Sequence, residues 1–66
     1  MSLVKVIELI SEGNTIEQAV ESAVQEAAKT VRNIKSVYIS DIQAIIDQNK
    51  ISKYRIDVKV SFVVDH

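Results

Sequence analysis

Glu8, Asp41, Asp47 and Asp57 are the carboxylates from which an acid–base pair or a cation site would be drawn, and Lys53, Arg55 and Lys59 form a basic stripe along one strand face. General acid–base chemistry needs a carboxyl whose ionisation is displaced toward neutrality, and nothing in the spacing singles one out. The chain has no cysteine, and its one histidine, His66, ends it where fraying is expected, so a nucleophile with an adjoining base is lacking. An enzyme is not expected. A calcium loop of the D-x-D-x-D-G type is also missing, so a cation site would form only where assembled copies bring carboxylates together across an interface. The basic stripe suits an anionic group such as phosphate, although lysines on a sheet face also simply keep it soluble. The aromatic residues are Tyr38, Tyr54 and Phe62; the last two fall on an apolar strand face and read as core.

The elements that must carry these residues emerge from periodicity. Residues 3–10 read as a strand with Val4, Val6, Glu8 and Ile10 on one side and Leu3, Lys5, Ile7 and Leu9 on the other, apolar enough on both to need covering twice. Residues 11–15 hold the only glycine, Gly13, and end in a capping signal, Thr15 with Gln18 or Asn14 with Glu17. Ile16, Val20, Ala23, Val24, Ala27 and Val31 then recur at helical spacing, which predicts an amphipathic helix of about 18 residues with Lys29 and Arg32 in its last turn. Residues 34–46 return to strand character, with Val37, Ile39 and Ile45 on one side and Ile34, Tyr38, Ile42, Ala44 and Ile46 on the other. Asp47-Gln48-Asn49-Lys50 is the hairpin turn. The last strand alternates strictly, with Tyr54, Ile56, Val58, Val60, Phe62 and Val64 against Lys53, Arg55, Asp57, Lys59 and Ser61.

Sixty-six residues make a single domain, 1–66. Folding a compact monomer of this mass hides about 6,500 Å², which at some 60% apolar and about 25 cal/mol/Å² contributes about 100 kcal/mol, against a similar ordering cost at about 1.5 kcal/mol per residue. Without disulfides, self-association is the remaining source of stability. Two strands of about 14 residues span about 45 Å, whereas an 18-residue helix spans about 27 Å, so the sheet overhangs its helix and a closed homo-oligomer is expected. The chain is 47% hydrophobic and 26% charged, which excludes disorder, and no apolar run is long enough for a membrane helix. A net charge of −1 argues against nucleic-acid or anionic-membrane partners. With no signal-peptide pattern, a soluble cytoplasmic protein is expected.

Lys5-Val6-Ile7-Glu8-Leu9-Ile10, the helix start Glu17-Gln18-Ala19 and the strand from Tyr54 to Phe62, in this order and spacing, resemble the dodecin family over residues 4–64. The resemblance implies an α+β fold: a β-α-β-β subunit whose three-stranded antiparallel sheet partly wraps one helix, assembled as a hollow homododecamer. It also implies non-catalytic binding and storage of a flavin, riboflavin or FMN, at intersubunit sites. The family's ring-stacking tryptophan falls on Ser36 and its ring-binding glutamine on Arg55, with Tyr38 a second platform, so Ser36, Tyr38 and Arg55 are the expected lining and a weakened flavin affinity is expected. The run Tyr54-Arg55-Ile56 resembles a branch associated with calcium rather than flavin, which gives calcium as the alternative ligand.

Overall fold

In the computed structural model, residues 2–65 are described; His66 lies outside them. The order is β1 (Ser2–Gly13), α1 (Ile16–Ala28), β2 (Ile34–Asp47) and β3 (Lys50–Asp65). All pairing is antiparallel, in the order β1-β3-β2, so the strictly alternating strand is central and both edges are long. Gln48 and Asn49, with φ of 52° and 66°, make the two-residue turn between β2 and β3, a left-handed pair whose twist suits a hairpin.

Of the two capping registers, Thr15 with Gln18 is realised. The Gln18 backbone N–H donates to Thr15 Oγ1 at 3.0 Å, and Gln18 Oε1 accepts from the Asn14 N–H at 3.2 Å. The helix has 13 residues rather than about 18. Beyond Ala28 the Lys29 and Thr30 amides fold onto the carbonyls of Glu26 and Ala27, the Thr30 hydroxyl takes the Ala27 carbonyl as well, and Asn33 turns the chain at φ 62°. Lys29 therefore caps the helix and Arg32 lies outside it.

Ala19, Ala23 and Ala27 form the buried helix stripe and rest on Ile56, Val58 and Val60 of β3, with Ile7, Leu9, Val31, Ile34 and Val37 packed around them. Small residues let the helix approach the sheet closely. Gly13 extends that approach, because a Cβ there would lie 2.5 Å from the Ala19 nitrogen.

The sheet does overhang. The molecule is 51 Å long with a radius of gyration of 13.6 Å, against about 10.8 Å for a compact chain of this length. Its accessible surface of 4994 Å² exceeds the roughly 4,200 Å² expected for its mass. Leu3, Val4, Val6, Ile10, Tyr38, Ile42, Ile46 and Ile51 are each more than half exposed. No helix among the described residues is long and apolar enough to cross a membrane.

Candidate functional site

The face of the sheet turned away from α1 carries the polar side chains in transverse rows set by the strand register. In order these are Val6–Ser61–Ser36, Glu8–Lys59–Tyr38, Ile10–Asp57–Asp41 and Glu12–Arg55–Gln43 across β1, β3 and β2. Rows on one face are two residues apart, about 6.7 Å.

The faces of β2 differ from strict alternation. Register shifts between Ile34 and Ser36 and between Ile39 and Asp41 leave Lys35 and Ser40 as extra residues, each reversing the parity of the residues after it. Ile34, Val37, Ile39, Ile42 and Ala44 consequently pair with the helix-facing residues of β3, whereas Tyr38 shares the outer face with Ile45. The Ser40 bulge is fastened by its hydroxyl, which donates to the Asp57 carbonyl at 3.0 Å.

Ser36, Tyr38 and Arg55 all lie on this outer face. Ser36 and Tyr38 occupy successive rows, and Tyr38 is 66% exposed. Arg55 is three rows from Ser36, about 20 Å at 3.3 Å per residue, so one copy does not bring the two together on a ring-sized ligand. The Ser36 and Ser61 hydroxyls are hydrogen-bonded to each other. Arg55 Nε donates to Glu12 Oε2 at 2.8 Å, and Lys53 Nζ donates to Glu12 Oε1 at 2.9 Å. Those two cations hold the Glu12 carboxyl below its ordinary range.

Three of the four candidate carboxylates lie on adjacent rows of the outer face. Asp41 lies directly opposite Asp57, and Glu8 on β1 reaches the Asp57 carboxyl diagonally. The hydrogen bond and charge of Asp57 push the Glu8 carboxyl up, aided by partial desolvation and Asp41 and opposed by Lys59. Asp57 Oδ1 is buried with no hydrogen-bond partner. Beside this cluster lies a concavity of about 400 Å³ whose lining includes Ile10, Asp41, Gln43, Arg55 and Asp57. Asp47 stands apart at the hairpin turn opposite Lys50. Among the described residues no three histidine, aspartate or glutamate side chains come close enough to hold a metal ion. Glu12 and Gln43 were not singled out from sequence. Glu12 shares parity with Glu8 and Ile10, and extending β1 through Gly13 is the signal that places it.

The family model for dodecin matches residues 3–65. No curated protein matches at a significant level. Among solved structures, a single-substitution variant of the Thermus thermophilus dodecin superposes with a TM-score of 0.90 at 22% identity, covering 100% of this chain and 98% of that one. The dodecin from Streptomyces davaonensis gives 0.87 at 17%, covering 98% and 97%. The calcium dodecin of Mycobacterium tuberculosis, a calcium-chelating immunodominant antigen with a novel calcium-binding site, gives 0.78 at 31%, covering 96% and 91%.

Proposed function

Because the chain belongs to the dodecin family, we propose that it is a non-catalytic cytoplasmic binding protein, assembled from identical copies as the hollow dodecamer its resemblance implies, whose small ligand is a divalent cation of the calcium class. The observation that carries the ligand is Asp57 Oδ1, buried without a hydrogen-bond partner on a residue that has Asp41 opposite it on β2 and Glu8 diagonal to it on β1. A buried carboxylate oxygen without a partner is costly, and a hard cation supplies what it lacks. Calcium takes about six to eight oxygens, so one copy offers part of a shell and a neighbouring copy completes it. The exposed Val6 and Ile10 beside Glu8 mark the same face as one another copy covers. The calcium dodecin at 31% identity supports the choice of ion.

The test is calorimetric titration of calcium into chelator-stripped protein, with melting followed in calcium and in chelator. Heat of binding and a higher melting temperature in calcium, both lost in Asp57→Asn, are expected. An unchanged melting temperature with no heat rejects the reading.

A second reading, flavin sequestration between copies at a site lined by Ser36, Tyr38 and Arg55, is favoured by Tyr38, whose ring is exposed on the outer face. Residues about 20 Å apart in one chain would meet there only across copies. Protein that purifies yellow, or quenches riboflavin and FMN fluorescence, establishes it.

A further inference from the structure

We propose that Lys53 and Arg55 form an anion site of the phosphate class that Glu12 occupies from within the chain, so that Glu12 sets the selectivity of this end of the outer face against phosphate-bearing ligands. The proposal does not rest on the cation reading, since the groups that hold the anion are Lys53 and Arg55 and the group that excludes it is Glu12.

Two cations two residues apart on β3 point to one side of the sheet and close on a single carboxylate, one on each oxygen. The three charges sum to +1, so the cluster still attracts an anion after Glu12 is counted. Among the described residues only Nε of Arg55 is engaged; its remaining guanidinium donors make no hydrogen bond there. Arg55 borders the concavity that Gln43 and Ile10 also line, which gives the body of a phosphate ester a place to lie. Asp41 and Asp57 on its far side disfavour a second negative charge there, which restricts the anion to the Lys53 end.

The occupant is displaceable. The side chains of Lys53, Arg55 and Glu12 are 40%, 44% and 37% exposed, and ion pairs this open hold weakly. A phosphate, with more than one charge and three acceptor oxygens, competes for the same donors better than a carboxylate. Glu12's backbone is nonetheless fixed, because Gly13 next to it abuts the start of α1.

The experiment is phosphorus NMR titration of inorganic phosphate, and separately fluorescence-quenching titration of FMN and of riboflavin, at low ionic strength. Glu12→Gln should bind phosphate at least tenfold more tightly than the parent, and Glu12→Gln with Arg55→Gln should lose that gain. Glu26→Gln removes the same charge from an exposed pair with Lys29 on α1, and it should leave phosphate binding near the parent's. An FMN preference over riboflavin in Glu12→Gln assigns the site to phosphate esters, whereas a gain for inorganic phosphate alone assigns it to the free ion; both support the proposal. Equal affinity in parent and Glu12→Gln overturns it, as does an equal gain in Glu26→Gln. Circular dichroism melts of each variant at matched concentration verify folding.

Discussion

The Ser36 hydroxyl is hydrogen-bonded to that of Ser61 across β2 and β3, at the position where the resemblance places a flavin-stacking ring. Two small hydroxyls satisfying each other offer no π surface and little area. A ring contributes about 0.5–1.5 kcal/mol beyond the area it buries. Ser36→Trp combined with Arg55→Gln, which also releases Glu12, is expected to strengthen riboflavin binding at least tenfold over the parent. Fluorescence quenching at tens of micromolar protein reads this out. A double variant that quenches no better than the parent shows that the outer face no longer forms a flavin pocket.

Gly13 is the point where β1 meets the helix, and its constraint is contact rather than backbone twist. An alanine Cβ would meet the Ala19 nitrogen at 2.5 Å and the Gln18 carbonyl carbon at 2.9 Å, both backbone atoms of the first helical turns. Neither can swing aside as a side chain does. Gly13→Ala should cost about 1–3 kcal/mol, the usual penalty for overpacking, seen as a lower urea midpoint. A midpoint unchanged within error means that β1 and α1 separate easily.

Ile56 is fully buried under the alanine stripe, and Ile56→Ala should cost about 2–5 kcal/mol because the close helix leaves little freedom to collapse. For a chain whose subunit has so much exposed apolar surface, that loss should appear as dissociation as well as unfolding. The melting temperature of the parent should rise with protein concentration, since the proposed assembly would stabilise the folded subunit by mass action. Calorimetry over a hundredfold dilution series checks it, and sedimentation of a folded species at the mass of one chain contradicts it.

Much of the fold was legible because its signals are local. The strict alternation of residues 54–64 marks the central strand, Thr15 with Gln18 marks the helix start, and the overhang comes from strand and helix lengths. The helix end was overrun because Val31 continues the apolar spacing, while Asn33 and the Thr30 hydroxyl, which break the helix, act through conformation rather than hydrophobicity. The faces of β2 were mixed because period two is lost at each bulge, and a bulge at Ser40 is fixed by a partner on another strand, the Asp57 carbonyl. The same register hid the carboxylate cluster: Glu8, Asp41 and Asp57 are far apart in sequence and become neighbours only through β1-β3-β2 pairing. Glu12 escaped notice because residues 11–15 read as a loop, whereas β1 runs through Gly13.

Glu8 and Glu12, four residues apart on one strand face, should impose opposite pH dependences on stability. The Glu8 carboxyl is raised above its ordinary 4.5, foremost by its hydrogen bond with Asp57. Between 4.5 and that raised value the folded chain holds more protons than the unfolded chain, so stability falls as pH rises through the window, and the loss is complete above it. The Glu12 carboxyl is lowered, foremost by Lys53 and then Arg55. Its contribution is present above 4.5 and disappears as pH falls through the lowered value. Urea midpoints at fixed chain concentration should therefore be highest near pH 4.5 and decline to both sides. Glu8→Gln should remove the decline on the neutral side and raise the midpoint at pH 7, and Glu12→Gln should flatten the acid side. A Glu8→Gln profile that keeps the parent's neutral-side slope would show that the Glu8–Asp57 contact does not form in solution.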